Sequence, residues 1–210
     1  MALTLYCGNK RFSSWSLRPY TALVHAGAEF TVKMIKLRQQ DSKATISAVS
    51  PSGRVPVLYD DDLVVFDSLA ICEYVAELYP LANLWPDDRA TRARARAVAA
   101  EMHSGFAALR NAMSMDLAAD LHGQGRTPEC LADIERIQEV WSTTIATSGG
   151  PFLFGTFTIA DAMYAPVVTR FKTYGVELSS VNQAYCNAVL ALPAMKQWYA
   201  DALQEGPLEP

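Results

Sequence analysis

Residues 55–68 read Val-Pro-Val-Leu-Tyr-Asp-Asp-Asp-Leu-Val-Val-Phe-Asp-Ser, and this stretch decides the fold. Two short apolar runs, 55–59 and 63–66, flank an acidic turn, which is a pattern typical of a β-hairpin. The helical period that starts at Asp67 predicts a helix as far as Leu78, which Pro80 stops. The stretch therefore predicts two strands and a helix in immediate succession.

Both ends of this stretch carry groups suited to a small ligand. A strand that begins at a proline gives up a backbone donor, and a cis Val55–Pro56 bond there would turn the free N–H and C=O of Val55 toward a ligand. Asp67 and Ser68 stand where a strand passes into a helix, so their side chains join the first free N–H groups of that helix. The sequence therefore predicts a pocket for a carboxylate and an ammonium group.

The residues before the hairpin alternate between strand and helix periods. Leu3–Cys7 and Phe30–Ile35 are predicted strands, and Trp15–Ala26 and Ser42–Val49 are predicted helices. The order β-α-β-α-β-β-α implies a mixed sheet, because parallel strands need helical crossovers while the hairpin adds an antiparallel pair. We expect residues 1–80 to form a thioredoxin-like domain.

The rest of the chain has only helical periods. Two prolines in the segment around residues 81–87 predict a linker. The helical periods that follow predict an all-α domain over residues 88–210. The fold class is thus α/β followed by all-α. The predicted helices are Arg89–Leu121, Cys130–Thr147, Thr158–Thr173, one from Val181 and Pro193–Leu203. Thr158 and Asp161 form a predicted capping box, which we assign to folding.

Composition limits the possible partners. Half of the 210 residues are apolar, the formal net charge is -4 and no basic block occurs, so neither nucleic acid nor an anionic membrane is an expected partner. No apolar run approaches the length of a membrane span, and the first residues lack a charged n-region, so we expect a cytoplasmic protein. The four cysteines have neither metal-ligand nor C-x-x-C spacing, so no metal is expected.

Four segments in these domain contexts resemble the cytosolic glutathione transferases, in particular bacterial, serine-type members close to the zeta and theta classes. The segments are Ser13-Ser14-Trp15-Ser16-Leu17-Arg18, Ser50-Pro51-Ser52-Gly53-Arg54-Val55-Pro56-Val57-Leu58, Asp67-Ser68-Leu69-Ala70-Ile71-Cys72-Glu73-Tyr74 and Gly155-Thr156-Phe157-Thr158-Ile159-Ala160-Asp161. The resemblance implies that glutathione is the co-substrate and that its thiolate attacks a small hydrophobic electrophile. It also implies a homodimer.

The resemblance implies that Ser13 donates a hydrogen bond to the sulfur of glutathione. Ser13 precedes the first helix and lies five residues before Arg18, as the catalytic Ser or Cys does in several classes. A serine before a helix is most often an N-cap, and Ser14 is the nearest rival. Tyr6 and Cys7 are further alternatives, and a cysteine at the sulfur would favour thiol transfer or reduction.

The resemblance also assigns residues to the two ligands. Asp67 stands where the family usually carries Glu or Gln, which shortens the reach to the γ-glutamyl ammonium. The residues implied for glutathione are Arg54, Val55, Pro56, Asp67 and Ser68, with Lys36 and Gln40 as candidates for the glycyl carboxylate. The residues implied for the electrophile pocket are Trp15, Met102, His103, Phe106 and Arg110.

Two other functions remain open. One is glutathione-dependent cis-trans isomerisation, because the segment from Ser13 to Arg18 is similar to the Ser-Ser-Cys-Ser-Trp-Arg stretch of maleylacetoacetate isomerases, and Arg110 would favour an anionic electrophile. Trp15 stands where those enzymes have Cys, which weakens this interpretation. The other is a non-catalytic glutathione-binding or interaction protein, since a fold does not guarantee an activity.

Overall fold

The computed structural model describes residues 2–206, which form one mixed sheet and nine helices. The sheet part contains β1 (Leu3–Gly8), α1 (Ser14–His25), β2 (Phe30–Ile35), α2 (Ser42–Val49), β3 (Val57–Asp60), β4 (Leu63–Phe66) and α3 (Ser68–Leu78). The helical part contains α4 (Arg89–Ser104), α5 (Ala107–Ala112), α6 (Pro128–Ser148), α7 (Ile159–Tyr174), α8 (Ser180–Ala191) and α9 (Pro193–Ala202). Of the helices in this described range, none combines the length and apolar character that crossing a membrane requires.

The sheet has the strand order β2-β1-β3-β4, with β1 parallel to β2 and antiparallel to β3. β3 and β4 form the predicted hairpin, in which Val57 pairs with Phe66. The central strand β1 buries Leu3, Leu5 and Cys7 on one face, following the period of two that a half-buried strand shows. The predicted order β-α-β-α-β-β-α and the thioredoxin-like fold are confirmed.

Helix α1 connects the sheet with the helical part. It packs against α3 on the sheet side and against α7 on the other, so polar as well as apolar residues of α1 are buried. Its C-terminal end is followed by Gly27 at φ 68°, the left-handed conformation that glycine adopts without steric cost. The start of this helix, at Ser14, therefore lies at the boundary between the two parts of the molecule.

The prediction of one helix over Arg89–Leu121 is wrong. Helix α4 ends at Ser104, and Phe106 has a left-handed backbone with φ 57° before the short α5 begins. A Cβ at Gly105 would lie 2.7 Å from the carbonyl oxygen of Glu101, so this position requires glycine. After the break, the loop that follows α5 reaches the segment before α1, where the Leu117 N–H donates to the Arg11 carbonyl oxygen at 3.3 Å.

Helix α7 is the centre of the helical part, since nearly all of its side chains are buried. Its first turn contains the predicted capping pair: one Asp161 carboxylate oxygen accepts a hydrogen bond from the Thr158 N–H at 2.8 Å. The other oxygen accepts from the Leu153 N–H at 3.0 Å. Asp161 thus satisfies two buried backbone donors, which supports a role in folding.

We expect Asp161→Ala to lower the free energy of unfolding by about 2–4 kcal/mol, because two buried N–H groups would lose their acceptor. Urea denaturation measures this change. Asp62→Ala is the matched control, since Asp62 is an exposed turn residue, and it should change stability by less than about 0.5 kcal/mol. Equal effects of the two substitutions would contradict the assignment.

Candidate functional site

A cavity of about 430 Å³ opens where β3 begins, between the sheet part and α4. Five of the residues that the sequence implies for glutathione line this cavity, together with two residues assigned to the electrophile pocket. The lining consists of Trp15, Ser52, Arg54, Val55, Pro56, Phe66, Asp67, Ser68 and His103. Four separate segments of the chain, at residues 15, 52–56, 66–68 and 103, therefore meet at one site.

Val55 supplies an open backbone edge to this cavity. The Val55–Pro56 peptide bond is cis, as predicted. Strand pairing of β3 begins only at Val57, so Val55 lies beyond the ladders with β1 and β4. An extended peptide can therefore pair with the Val55 backbone.

Asp67 and Ser68 have different roles at the N-terminus of α3: one caps the helix and the other faces the cavity. Asp67 is the N-cap, since its Oδ1 accepts hydrogen bonds from the N–H groups of Leu69 at 2.8 Å and Ala70 at 3.4 Å. The Ser68 side chain is not the cap: its hydroxyl is buried and has no hydrogen-bond partner within residues 2–206. A buried hydroxyl of this kind at a helix N-terminus is suited to a ligand carboxylate.

His103 brings α4 into the same site. Its Nε2 lies 3.2 Å from Oδ2 of Asp67, and its ring meets the Trp15 ring edge-on with centroids 5.4 Å apart. Burial lowers the pKa of His103, and the carboxylate of Asp67 opposes this shift only in part. This contact joins residues 36 positions apart, so no local pattern could predict that His103 pairs with Asp67.

Ser13 and Ser14 occupy different environments. The Ser13 hydroxyl lies 2.8 Å from the Ser16 hydroxyl, which in turn accepts a hydrogen bond from the Gly8 N–H at 3.1 Å. The Ser13 side chain does not cap α1, although N-capping is the commonest role of a serine before a helix. Ser14 is the first residue of α1 and lines a second cavity.

The second cavity has a volume of about 330 Å³ and shares Trp15 with the first. Its walls come from α1, the loop after β2, α5 with the loop that follows it, and α7. The lining consists of Phe12, Ser14, Trp15, Arg38, Arg110, Ser114, Met115, Asp116 and Arg170. Because the one carboxylate among these residues, Asp116, already pairs with Arg11, the cavity has an excess of positive charge.

Arg110 and Arg170 are fixed by backbone carbonyls rather than by carboxylates. Arg170 donates to the carbonyl oxygens of Met113 at 2.8 Å and Pro166 at 3.2 Å, and Arg110 donates to that of Met102 at 3.2 Å. Burial lowers the pKa of Arg110, and burial together with Arg110 lowers that of Arg170 to about 10. Arginine side chains are not deprotonated in proteins near neutral pH, so both guanidinium groups are charged. Arg38 and Arg170 were not predicted as site residues, because they lie in separate elements without a shared motif.

Trp15 separates the two cavities and stacks on arginines. The guanidinium carbon of Arg18 lies 4.1 Å from its ring centroid, and that of Arg110 lies 5.3 Å away. Arg18 is fully buried, and its Nε and Nη1 have no hydrogen-bond partner in the described chain. Burial lowers the pKa of Arg18 to about 9, with smaller contributions from Arg170 and Arg110.

Five residues proposed for ligand contact line neither cavity. Ser13, the residue implied to face the sulfur, is one of them and is buried beside the two cavity linings that contain Ser14 and Trp15. Met102, on the inward face of α4, and Phe106, at the break before α5, are buried in the core and line neither cavity. Lys36 and Gln40 are exposed in the loop after β2, and from this loop it is Arg38 that lines the second cavity.

The two alternatives on β1 also lie away from the cavities. Cys7 is fully buried, and burial raises the pKa of its thiol to about 12, so the thiolate required for exchange is not formed near neutral pH. The Tyr6 ring packs on Tyr59 with centroids 5.3 Å apart, and its hydroxyl accepts from Lys33 at 3.4 Å. Within residues 2–206, no three His, Cys, Asp or Glu side chains are placed to hold a metal ion.

Comparison with known proteins identifies the class. The model of the glutathione S-transferase N-terminal domain matches residues 12–78, and that of the glutathione S-transferase C-terminal domain matches residues 90–201. The chain belongs to the glutathione S-transferase family.

Among individual proteins, the chain is 26% identical to maleylacetoacetate isomerase of Rattus norvegicus over 196 residues, which is 91% of this chain and 89% of the relative. The structure of a maleyl pyruvate isomerase, described as a bacterial glutathione S-transferase of the zeta class, is similar with a TM-score of 0.76 and 26% identity, covering 97% of this chain and 100% of that one. A glutathione transferase homologue from Burkholderia with bound glutathione matches with a TM-score of 0.74 and 24% identity, over 98% of this chain and 100% of that one.

We expect iodoacetamide to leave Cys7 unmodified in the folded protein and to modify it after unfolding, because alkylation requires an accessible thiolate. Mass spectrometry of tryptic peptides locates the label. Cys7→Ser is the control, and its unfolded form should lose the label at this position alone. Rapid labelling of Cys7 in the native state would restore it as a candidate for the reactive group.

Proposed function

We propose that the protein is a glutathione transferase that binds glutathione in the first cavity and ionises it for attack on an electrophile in the second. The observation that carries this proposal is the buried hydroxyl of Ser68, which has no hydrogen-bond partner in the described part of the chain, beside the carboxylate of Asp67 and the open backbone edge of Val55. These groups complement a carboxylate, an ammonium group and a peptide, which are parts of the γ-glutamylcysteinyl portion of glutathione.

In this proposal each part of glutathione has its own partner. The γ-glutamyl carboxylate accepts from Ser68 and from the N-terminus of α3, where the helix dipole favours an anion. The ammonium pairs with Asp67, whose carboxylate also lies 3.2 Å from His103, so both parts of the molecule hold this end of the ligand. The cysteinyl backbone pairs with Val55, which directs the sulfur toward the start of α1.

The proposed donor to the sulfur is Ser13. The Ser16 hydroxyl accepts from the Gly8 N–H, so it can donate its own proton to Ser13, which leaves the Ser13 proton free for the sulfur. Lowering a free thiol pKa of about 8.5 by two units requires about 2.7 kcal/mol. The hydrogen bond, the N-terminus of α1 and the buried arginines around Trp15 all favour the thiolate.

We expect Ser13→Ala to raise the apparent pKa of bound glutathione thiol by about two units, toward its free value of about 8.5. The ultraviolet absorbance of the thiolate, followed as the pH is raised, measures this shift. Ser14→Ala should leave the pKa unchanged, and Ser180→Ala, which removes an exposed hydroxyl on α8, is the matched control.

A shift in Ser14→Ala alone would move the donor role to Ser14. Glutathione that binds without ever showing thiolate absorbance would favour the non-catalytic alternative. Because that alternative predicts binding without ionisation, isothermal titration with glutathione belongs in the same experiment.

The second candidate function is glutathione-dependent cis-trans isomerisation, and the cationic second cavity favours it. The thiolate would add to a carbon–carbon double bond, the resulting single bond would rotate, and expulsion of the thiolate would restore the double bond, so no glutathione is consumed. Arg110 and Arg170 could bind the carboxylates of such a substrate. The names of the isomerase relatives agree with this candidate, whereas Trp15 in place of Cys does not favour it.

We expect Arg110→Met to raise KM about tenfold for an electrophile that carries a carboxylate, since one charge-assisted hydrogen bond is lost. KM for the neutral electrophile chlorodinitrobenzene should stay within about twofold. Arg110→Lys keeps the charge and should be intermediate, and Arg89→Met, at an exposed arginine, is the control. Equal effects on both electrophiles would exclude selection by charge, and assay of glutathione consumption separates transfer from isomerisation.

A further inference from the structure

The loop that precedes Ser13 is held by the C-terminal end of the described chain. This loop, Asn9–Phe12, connects β1 to α1. The carboxylate of Glu205 accepts a hydrogen bond from the Lys10 N–H at 2.8 Å with one oxygen and from the Arg11 N–H at 3.1 Å with the other. The indole N–H of Trp198 in α9 donates to the Lys10 carbonyl oxygen at 2.7 Å.

Side chains of the same loop strengthen this attachment. The Lys10 ammonium pairs with Asp201 of α9, and it lies over the ring of Trp198, 5.4 Å from the centroid. Arg11 forms a two-fold contact with Asp116, at 2.6 and 2.8 Å, and its carbonyl oxygen accepts from the Leu117 N–H at 3.3 Å. The helical part thus holds the loop from two sides.

Backbone hydrogen bonds connect the loop directly to the start of α1, where Ser13 and Ser14 lie. The Asn9 carbonyl oxygen accepts from the N–H groups of Phe12 at 3.1 Å and Ser13 at 2.8 Å, so the loop and the start of α1 form one hydrogen-bonded turn. Phe12 and Ser14 both line the second cavity. A displacement of Lys10 and Arg11 would therefore move the proposed sulfur donor and a wall of the second cavity together.

We propose that Glu205 is a positioning residue for the reaction: by binding two consecutive backbone N–H groups, it fixes the loop Asn9–Phe12 and hence the hydroxyl that faces the sulfur. This inference rests on the proposed function, in which a serine of this turn ionises glutathione. Glu205 is not a member of either cavity, so it acts through the loop rather than by touching a ligand. Misplacement of a reacting group by about 1 Å can reduce a rate by up to about a hundredfold.

The test compares Glu205→Ala, Glu205→Gln and Gln204→Ala in the full chain. Gln204 is the matched control, because it is the exposed neighbour of Glu205 in the same segment. Three quantities are measured: amide hydrogen exchange of the peptide that contains residues 9–13, the apparent pKa of bound glutathione thiol, and kcat and KM with a neutral electrophile.

In Glu205→Ala we expect faster exchange of the loop amides, a higher thiol pKa and a kcat reduced about tenfold. KM for glutathione should stay within about twofold, since the Asp67–Ser68 end of the first cavity is untouched. Glu205→Gln keeps one acceptor oxygen and should be intermediate, and Gln204→Ala should match the wild type. Because Glu205→Gln keeps the size of the side chain, it provides the test if Glu205→Ala does not fold, and it should shift the same quantities in the same direction.

Unchanged loop exchange in Glu205→Ala would overturn the proposal. So would faster exchange with wild-type thiol pKa and kcat, because the contact would then be structural only. If the wild type itself shows no thiolate, the proposed function fails by that result, and faster exchange in Glu205→Ala would identify a structural contact without a positioning role.

Discussion

The burial of α1 against α7 is the contact on which both cavities depend. Helix α1 also packs on α3, so it is enclosed on two sides, and its first turn emerges where the sheet part meets the helical part. Trp15, in that turn, is shared by the two cavities. A helix enclosed in this way can place a hydroxyl at its N-terminus within a site whose other walls come from remote parts of the chain.

Enclosing α1 also buries positive charge. Arg110 and Arg170 lie close enough to Arg18 to lower its pKa in addition to the effect of burial, and Arg110 also lowers the pKa of Arg170. Such an arrangement is unfavourable for folding, because burying charge costs free energy and like charges repel. It is favourable for a site that must hold anions, and both glutathione thiolate and a carboxylate-bearing electrophile are anions. The charge cluster therefore connects the fold to the proposed chemistry.

The family is established and the reaction is proposed, and the two rest on different kinds of observation. Membership of the glutathione S-transferase family follows from both domains, whereas the reaction depends on a few side chains around Trp15. The first cavity is suited to glutathione under either proposed reaction, and the second decides between them. In the second cavity, Trp15 and Phe12 form a neutral surface that suits a hydrophobic electrophile. Arg110 and Arg170 supply cations that suit an electrophile with carboxylates. Pairing of two subunits stays a prediction.

The sequence by itself determined the local structure and the family. Hydrophobic periods and turn residues predicted the strands of the sheet, the helix Ser42–Val49 and the order of these elements. Short motifs predicted the roles of Val55–Pro56 and Asp67–Ser68. Each of these predictions depends only on residues that are near one another in the chain. The helical pattern did not predict the break at Gly105, because the left-handed backbone of Phe106 leaves the spacing of apolar residues in the sequence unchanged. Only the tertiary structure brought His103 to Asp67, Arg170 to Trp15's cavity and Glu205 to Lys10. Those contacts join elements far apart in sequence, and their distances are fixed by how α1, α4, α7 and α9 pack, which no local pattern encodes.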